Sequence, residues 1–316
     1  MESIWTQTCL IPARSALPGD IQTEVAVIGA GMAGLLIADA LQNAGHRVVV
    51  LEADRIAGGQ TCNTTAKITS QHGLSYQKRI RTFGLEKAKQ YAAANEAALG
   101  EFRRMVSERG IDCDFEEQDA YVYGMDPEAL RTESEAAAQL GLPASFAANP
   151  PLPFPAAGAV RFSHQAQFHP LKFLRAIAEP LTIYEKTPVK RVQDHFIITN
   201  LGTVTADRIV FACHYPFVNF PGMYFARMHQ ERSYVLALEN ARIPDGMWIG
   251  SGEEVYSLRH YRNLLLLGGG SHRCGDNAQG GKYEALRQRA KEWFPDSREI
   301  ARWSAQDCVT AAARPI

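Results

Sequence analysis

The sequence predicts an α/β fold with a second, α+β part, and three observations carry that prediction. A strand–turn–helix–strand unit spans Glu24 to Glu52, with glycines at 29, 31 and 34 in its turn. A long amphipathic helix follows and ends near Gly110. The second half then changes to short alternating strands, which predicts an antiparallel sheet separate from the parallel one begun at the N-terminus.

Glu24–Gly29 is a run of β-branched and small residues and reads as a buried strand. Met32–Asn43 has helical spacing, and Gly45 is its stop signal. Arg47–Glu52, containing VVVL, is the second strand and ends in an acid. Leu85, Ala88, Tyr91, Ala92, Leu99, Phe102 and Val106 recur at three- and four-residue steps and define the long helix. Pro127–Leu140 is a shorter helix stopped by Gly141, and NPPLPFPAAG (149–158) is a connector that cannot continue a helix or a central strand. The strands expected beyond it are Phe196–Thr199, Thr203–Ala206, Arg208–Ala212, Ser233–Leu238, Met247–Ile249, Val255–Tyr261 and Leu264–Leu267. Lys282–Phe294 closes the pattern as an amphipathic helix before Pro295.

Composition narrows the partners. The 316 residues carry 33 Lys+Arg against 34 Asp+Glu, a net charge of −1, so no basic surface for nucleic acid is expected. A small molecule is the expected partner. Cys9, Cys62, Cys113, Cys213, Cys274 and Cys308 are scattered without paired spacing, which predicts a reduced, cytoplasmic chain and no metal site. MESIWTQTCLIPARS lacks the form of a signal peptide. The apolar run Val25–Leu41 has the composition of a membrane helix, but its early glycines argue for strand, turn and helix, so no membrane span is expected.

Gly29-x-Gly31-x-x-Gly34 sits between a strand and a helix, where a dinucleotide fingerprint requires it. Gly29 permits the tight turn, Gly31 the approach of a pyrophosphate, and Gly34 close helix–strand packing, while the helix start offers free N–H groups to phosphate. Glu52 follows about 20 residues on, where an acid binds ribose hydroxyls. The fingerprint does not separate NAD from FAD. GGQTCNTTAK (Gly58–Lys67) bears on that choice. Its two glycines let the chain fold back, and Gln60, Thr61, Asn63, Thr64 and Thr65 offer hydrogen bonds suited to a larger cofactor with a polar ring system. Lys67 could place a positive charge near an electron-rich ring. A solvated polar loop and a surface lysine are the plain alternatives.

VAVIGAGMAG with VVVLEA, NTTAKITSQHGLSY, QAQFHPLKFL, ACHYPF, QERSYVLAL, YSLRHY with LLLLGGGSHR, and WSAQD together resemble the D-amino-acid oxidase, glycine oxidase and sarcosine oxidase superfamily of FAD-dependent oxidoreductases. The resemblance is closest to a subgroup that often carries a C-terminal Rieske iron–sulfur domain. It implies a Rossmann-type FAD-binding domain (1–80, 159–225 and 300–316) interleaved with an antiparallel-sheet substrate domain (81–158 and 226–299). It implies that Gly29, Gly31, Gly34 and Glu52, with Met32, Ala33 and Ala53 beside them, hold the ADP half of FAD. Gly59, Thr61, Asn63, Thr64, Thr65, Ala66 and Lys67 would run past the pyrophosphate and flavin, with Val189, Ala212 and Cys213 also near the cofactor.

In such enzymes a C–N bond of an amine or amino acid is oxidised by hydride transfer to the flavin, and the electrons pass to oxygen or an electron-carrier protein. A carboxylate substrate needs a cation. Lys67, Arg259, His260, Tyr234 and His272 are the candidate catalytic residues, with Arg232, Arg273 and Tyr256 on or beside the same strands. Strand alternation requires about half of them to point away. His72, His169 and Cys62 also lie in matching motifs, each with a structural role as its plain reading.

The C-terminus departs from the resemblance. Where the superfamily continues through a threonine, an aspartate and a Pro-(aromatic)-Ile-Gly turn, this chain reads CVTAAARPI, with Ala312 in place of the acid. No C-x-H with C-x-x-H pair of a Rieske site occurs in these residues. The expectation is a C-terminally incomplete FAD-binding domain, and the alternative function is a truncated or degenerate nucleotide-binding protein of the same fold without turnover.

Overall fold

A computed structural model describes residues 2–252, 255–276 and 280–310. In chain order the strands are β1 (Ile21–Ile28), β2 (Val48–Leu51), β3 (Lys67–Ile68), β4 (Glu116–Gly124), β5 (Ala144–Ala148), β6 (Gly158–Gln167), β7 (Thr182–Tyr184), β8 (Val189–Gln193), β9 (Phe196–Thr199), β10 (Thr203–Phe211), β11 (Met228–Glu239), β12 (Met247–Gly250), β13 (Ser257–Tyr261), β14 (Leu264–Arg273) and β15 (Arg298–Thr310). The helices are α1 (Ile4–Thr8), α2 (Met32–Asn43), α3 (Tyr76–Phe83), α4 (Leu85–Glu108), α5 (Pro127–Gln139), α6 (Pro170–Ala178) and α7 (Lys282–Trp293).

The chain forms two compact units. One gathers Trp5–Thr64, Pro170–Glu231 and Ala305–Ile316; the other gathers Met1–Ile4, Thr65–His169 and Arg232–Ser304. Beyond Ile4, where it first passes from one unit to the other, the chain crosses after Thr64, His169, Glu231 and Ser304, where the sequence placed crossings near 80, 158, 225 and 299. Pairing explains the first two. β3 pairs with β6 and β6 with β4, so residues on both sides of those crossings already belong to the larger sheet.

The first unit is built on a six-stranded sheet of order β7-β2-β1-β10-β9-β8. β1 lies parallel to both β2 and β10, and β2 parallel to β7, while β8, β9 and β10 are antiparallel. Val25–Ile28 and all of β2 are buried, as strands covered on both faces must be, which is why they read as continuous apolar runs. β10 is one strand rather than the expected two. Its register with β1 holds from Val204 to Phe211 and carries the chain straight through Asp207. Leu17, Ala26, Ile28, Val49, Leu51, Ile197, Val204 and Ala206 form a core there, each large side chain contributing about 1.5–3 kcal/mol by burial. Glu185 is a buried acid satisfied by main chain, accepting from Ile56 N (2.7 Å) and Arg14 N (2.8 Å).

The second unit is built on the nine-stranded sheet of order β15-β11-β14-β13-β12-β4-β6-β3, with β5 added to β6. Most neighbours are antiparallel, as expected, but β12 and β4 run parallel. Each face has its own core. Leu236, Leu238, Trp248, Leu258, Leu265 and Leu267 pack with Leu286 and Ala290 of α7. Ala120, Val160, Phe162 and Met247 pack with residues of α3, α4 and α5. Trp248 and its neighbour Met247 thus serve opposite faces, the period-two alternation of a strand. α3 lacks a side-chain cap of its own, and the buried Glu133 of α5 supplies one, accepting from Ser75 N (2.7 Å), Tyr76 N (2.6 Å) and Gln77 N (3.0 Å).

The expected helix Met32–Asn43 is found with those bounds. Residues 311–316, where the sequence departs from the family pattern, lie outside the described residues, as does Val255's neighbour Glu254. Among the described residues no helix is long and apolar enough to cross a membrane, and no group of His, Cys, Asp and Glu could hold a metal ion. Cys9, Cys62, Cys213 and Cys308 are free thiols.

Candidate functional site

A cleft of about 430 Å³ opens in the first unit at the carboxyl ends of β1, β2 and β10. That is where an open parallel sheet presents its loop ends to a ligand. Gly29, Gly31, Met32 and Ala33 line one part of it, Glu52 and Ala53 a second, Gly59 and Thr61 a third, and Val189, Ala212 and Cys213 complete it.

The three fingerprint glycines are needed for different reasons. Gly29 has φ +107°, and a Cβ on it would stand 2.8 Å from Ala212 O. A Cβ on Gly34 would stand 1.9 Å from Gly29 O, so α2 can lie this close to the turn only without one. Gly31 is different. Its Cβ would meet only Thr61 Oγ1, at 3.4 Å, an ordinary contact. Nothing in the protein's own packing demands a glycine there, so the bare Cα serves the cleft. The same holds for Gly59, whose Cβ would meet nothing within 4 Å.

Hydrogen bonds fix the walls. Glu52 Oε2 accepts from Ala30 N (2.7 Å) and Oε1 from Asp54 N (2.9 Å), so one carboxylate braces the glycine turn and keeps its remaining lone pairs for a ligand. Thr61 Oγ1 accepts from Met32 N (3.1 Å) at the start of α2, and its hydroxyl proton stays available to donate. Residues 58–65 are bracketed by two alanines in the left-handed region, Ala57 and Ala66, each at φ +55°. Asn63 folds back on its own loop, its Nδ2 donating to Gly59 O (3.1 Å). The Cys62 thiol rests on Gly58 O and Gly59 O, and burial pushes its pKa up, which suits packing rather than reactivity. These residues fit a dinucleotide: main chain approachable at Gly31 and Gly59, a helix start, and an acid at the end of β2.

Ala66 and Lys67 lie in the second unit with Thr65. Lys67 is half-buried, and its Nζ donates to Trp248 O (2.9 Å) and Ser257 Oγ (2.7 Å). Burial, reinforced by the nearby Arg259, pushes its pKa down to about 7. Arg259, 1% exposed, donates from Nη1 to Ala66 O, and burial lowers its pKa to about 9. Ser257, Arg259 and Tyr261 alternate with Leu258 and His260 along β13, so Arg259 shares its face with the partner of Lys67. His260 takes the other face, its Nε2 within 3.3 Å of Ile243 N. Tyr234 packs against the α7 core and stacks on His272 with ring centroids 5.8 Å apart. The structure thus brings Lys67 and Arg259 together and sets His260, Tyr234 and His272 apart from them. Arg232 donates to Ser304 Oγ (3.2 Å), and Arg273 is exposed. His72 contacts Asn95, and the fully buried His169 packs edge-on to Tyr261.

Sequence reasoning missed Ala57, Thr187, Pro188, His214 and Phe217, which also line the cleft. Thr187 and Pro188 immediately precede Val189, so the residues beside that position held the signal. His214 and Phe217 lie in ACHYPF, a motif read only as far as its cysteine. Trp5 and Ser257 carried no signal beyond residue type.

The chain belongs to the FAD dependent oxidoreductase (DAO) family, whose model matches residues 24–316. FAD is the family's cofactor, and the cleft has the form to hold its ADP half. Over 333 residues the chain is 36% identical to the "Putative Rieske 2Fe-2S iron-sulfur protein YhfW" of Bacillus subtilis (strain 168), an alignment that takes in 100% of this chain and 65% of that protein. The chain therefore spans a little under two-thirds of that relative. Its fold is similar to glycine oxidase from Geobacillus kaustophilus (TM-score 0.71, 20% identity, 92% of this chain and 83% of that one). It is also similar to L-amino acid deaminase from Proteus myxofaciens in complex with anthranilate (TM-score 0.75, 16% identity, 100% of this chain and 86% of that one).

Proposed function

We propose that this chain oxidises a C–N bond of an amino acid or related amine, with FAD as the hydride acceptor. Bound FAD supplies the redox chemistry; the chain's residues bind, orient and charge-balance the reactants. The carrying observation is the setting of Lys67. Its ammonium is held by two neutral acceptors, its electrostatic neighbour is another cation, and no ion pair among the described residues neutralises it. Partly desolvated positive charge without a counter-ion favours an anion, and an amino-acid carboxylate supplies one. The solved relatives named for glycine oxidation and amino-acid deamination support an amino-acid substrate, and the relative named for a Rieske 2Fe-2S centre supports an electron-carrier protein ahead of oxygen as acceptor.

In this reading Gly31, Gly59, Thr61 and Glu52 hold the dinucleotide, and Lys67 is the cation for the substrate carboxylate. The test is anaerobic mixing of the FAD-loaded chain with a panel of amino acids, matched amines and matched hydroxy acids. The expected result is loss of the oxidised flavin absorbance with at least one amino acid and none with its hydroxy acid. A protein that binds FAD yet is bleached by none of the panel overturns the reading in favour of nucleotide binding without turnover.

A further inference from the structure

The loop that lines the cleft is held at its far end by two side chains distant from it in sequence. Trp5 of α1, fully buried, donates from Nε1 to Thr64 O at 2.7 Å. Thr64 follows the turn Thr61–Asn63 and ends the first segment of the first unit. Two residues on, in the second unit, Arg259 Nη1 and Phe168 N both donate to Ala66 O. Ala66 is buried and sits at φ +55°, a conformation that a non-glycine residue keeps only where its surroundings hold it. The other end of the loop is tied by Ala57 N donating to Ala30 O at 2.9 Å and by Ile56 N donating to the Glu185 carboxylate at 2.7 Å. Between these ties lie Gly59 and Thr61, which face the cleft, and just past them lies Lys67.

Burial makes both ties costly to lose. Removing either donor takes one buried hydrogen-bond partner from the Thr64 or the Ala66 carbonyl, while Ala66 O keeps the bond from Phe168 N. Thr61 Oγ1 accepting from Met32 N and Asn63 Nδ2 donating to Gly59 O hold the middle of the loop, and the two side-chain ties fix its far end. We propose that Trp5 and Arg259 are positioning residues of the cofactor site: by clamping the Thr64 and Ala66 carbonyls they hold Gly59 and Thr61 in the cleft wall and set the entry of the chain into β3. This rests on the reading of the cleft as the FAD site. It gives Arg259 a place behind the chemistry, acting through Ala66, instead of on the substrate.

The experiment compares wild type, Trp5→Phe, Arg259→Met and Arg259→Lys by amide hydrogen exchange of the FAD-free chain and by FAD titration followed through flavin fluorescence. Tyr76→Phe, which removes a buried hydrogen bond to Ser70 O in the α3–α5 core, is the stability control. The expected result is faster exchange over residues 59–66 in Trp5→Phe and Arg259→Met. FAD dissociation constants should rise about threefold to tenfold for Trp5→Phe and about tenfold or more for Arg259→Met. Arg259→Lys, which keeps a donor, should fall between wild type and Arg259→Met, and Tyr76→Phe should leave FAD affinity unchanged. If Arg259→Met does not fold, Trp5→Phe and Arg259→Lys carry the test. Wild-type exchange over residues 59–66 in folded variants, or an equal loss of FAD affinity in Tyr76→Phe, overturns the proposal. A wild-type chain that takes up no FAD removes the ligand reading by itself, while the exchange data still decide whether the two side chains hold the loop.

Discussion

The two units of this chain present their candidate binding groups by opposite means. In the first, the cleft is main chain and absent side chains: a turn at Gly29, a bare Cα at Gly31, another at Gly59, and one carboxylate, Glu52, spent partly on bracing the turn. In the second, the notable groups are charged side chains taken out of water, Lys67 and Arg259 on one face of the large sheet and Glu133 under α3. A backbone surface is specified by where Cβ atoms are forbidden, so its failures are steric. A surface of buried charges is specified by who neutralises them, so its failures depend on pH and on ligand. The two units should therefore respond differently to the same kinds of perturbation.

The largest contrast is steric. Gly34→Val places carbon where Gly29 O already stands, 1.9 Å from the ideal Cβ position. It should cost at least about 3 kcal/mol of unfolding free energy, at the upper end of overpacking penalties, because the obstacle is backbone. Chemical denaturation of the FAD-free protein measures it, and a loss below about 1 kcal/mol would mean that α2 does not pack on the turn as described.

A smaller effect tests the charged unit. Burial holds the folded-state pKa of Lys67 near 7, below its ordinary 10.5. Between those values the unfolded chain binds more protons than the folded one, so wild-type stability should rise with pH across that window. Below about pH 7 both states are protonated and the penalty for burying the charge is fully present. Lys67→Met removes this dependence, so the advantage of the variant over wild type should be greatest at low pH and shrink toward pH 10. Denaturation profiles of the two proteins that run parallel across the window would contradict the burial of the ammonium.

How much of this was legible in the sequence follows the same division. The βαβ unit, the bounds of α2 and most of the cleft could be read in advance, because forbidden Cβ positions appear as glycines at fixed spacing and buried parallel strands appear as apolar runs. The second unit was legible as strands and as a list of charged and aromatic residues, but not as a site. Which of Arg259 and His260 shares a face with Lys67 depends on register between strands remote in sequence, and one residue of slip would exchange them. Trp5 could not be read at all, since a tryptophan near an N-terminus has no pattern that names the Thr64 carbonyl as its partner. The unit boundaries moved for the same reason: the two-residue strand β3 is too short to carry a periodic signal, yet its pairing with β6 decides where residues 65–80 belong.

Gly31 is the one fingerprint glycine that the protein's own packing does not require. Gly31→Ala should leave the FAD-free protein as stable as wild type within about 0.5 kcal/mol and raise the dissociation constant for FAD by at least about tenfold, the loss of roughly 1.4 kcal/mol of binding. Unchanged FAD affinity in a folded Gly31→Ala protein would contradict the placement of the cofactor in this cleft.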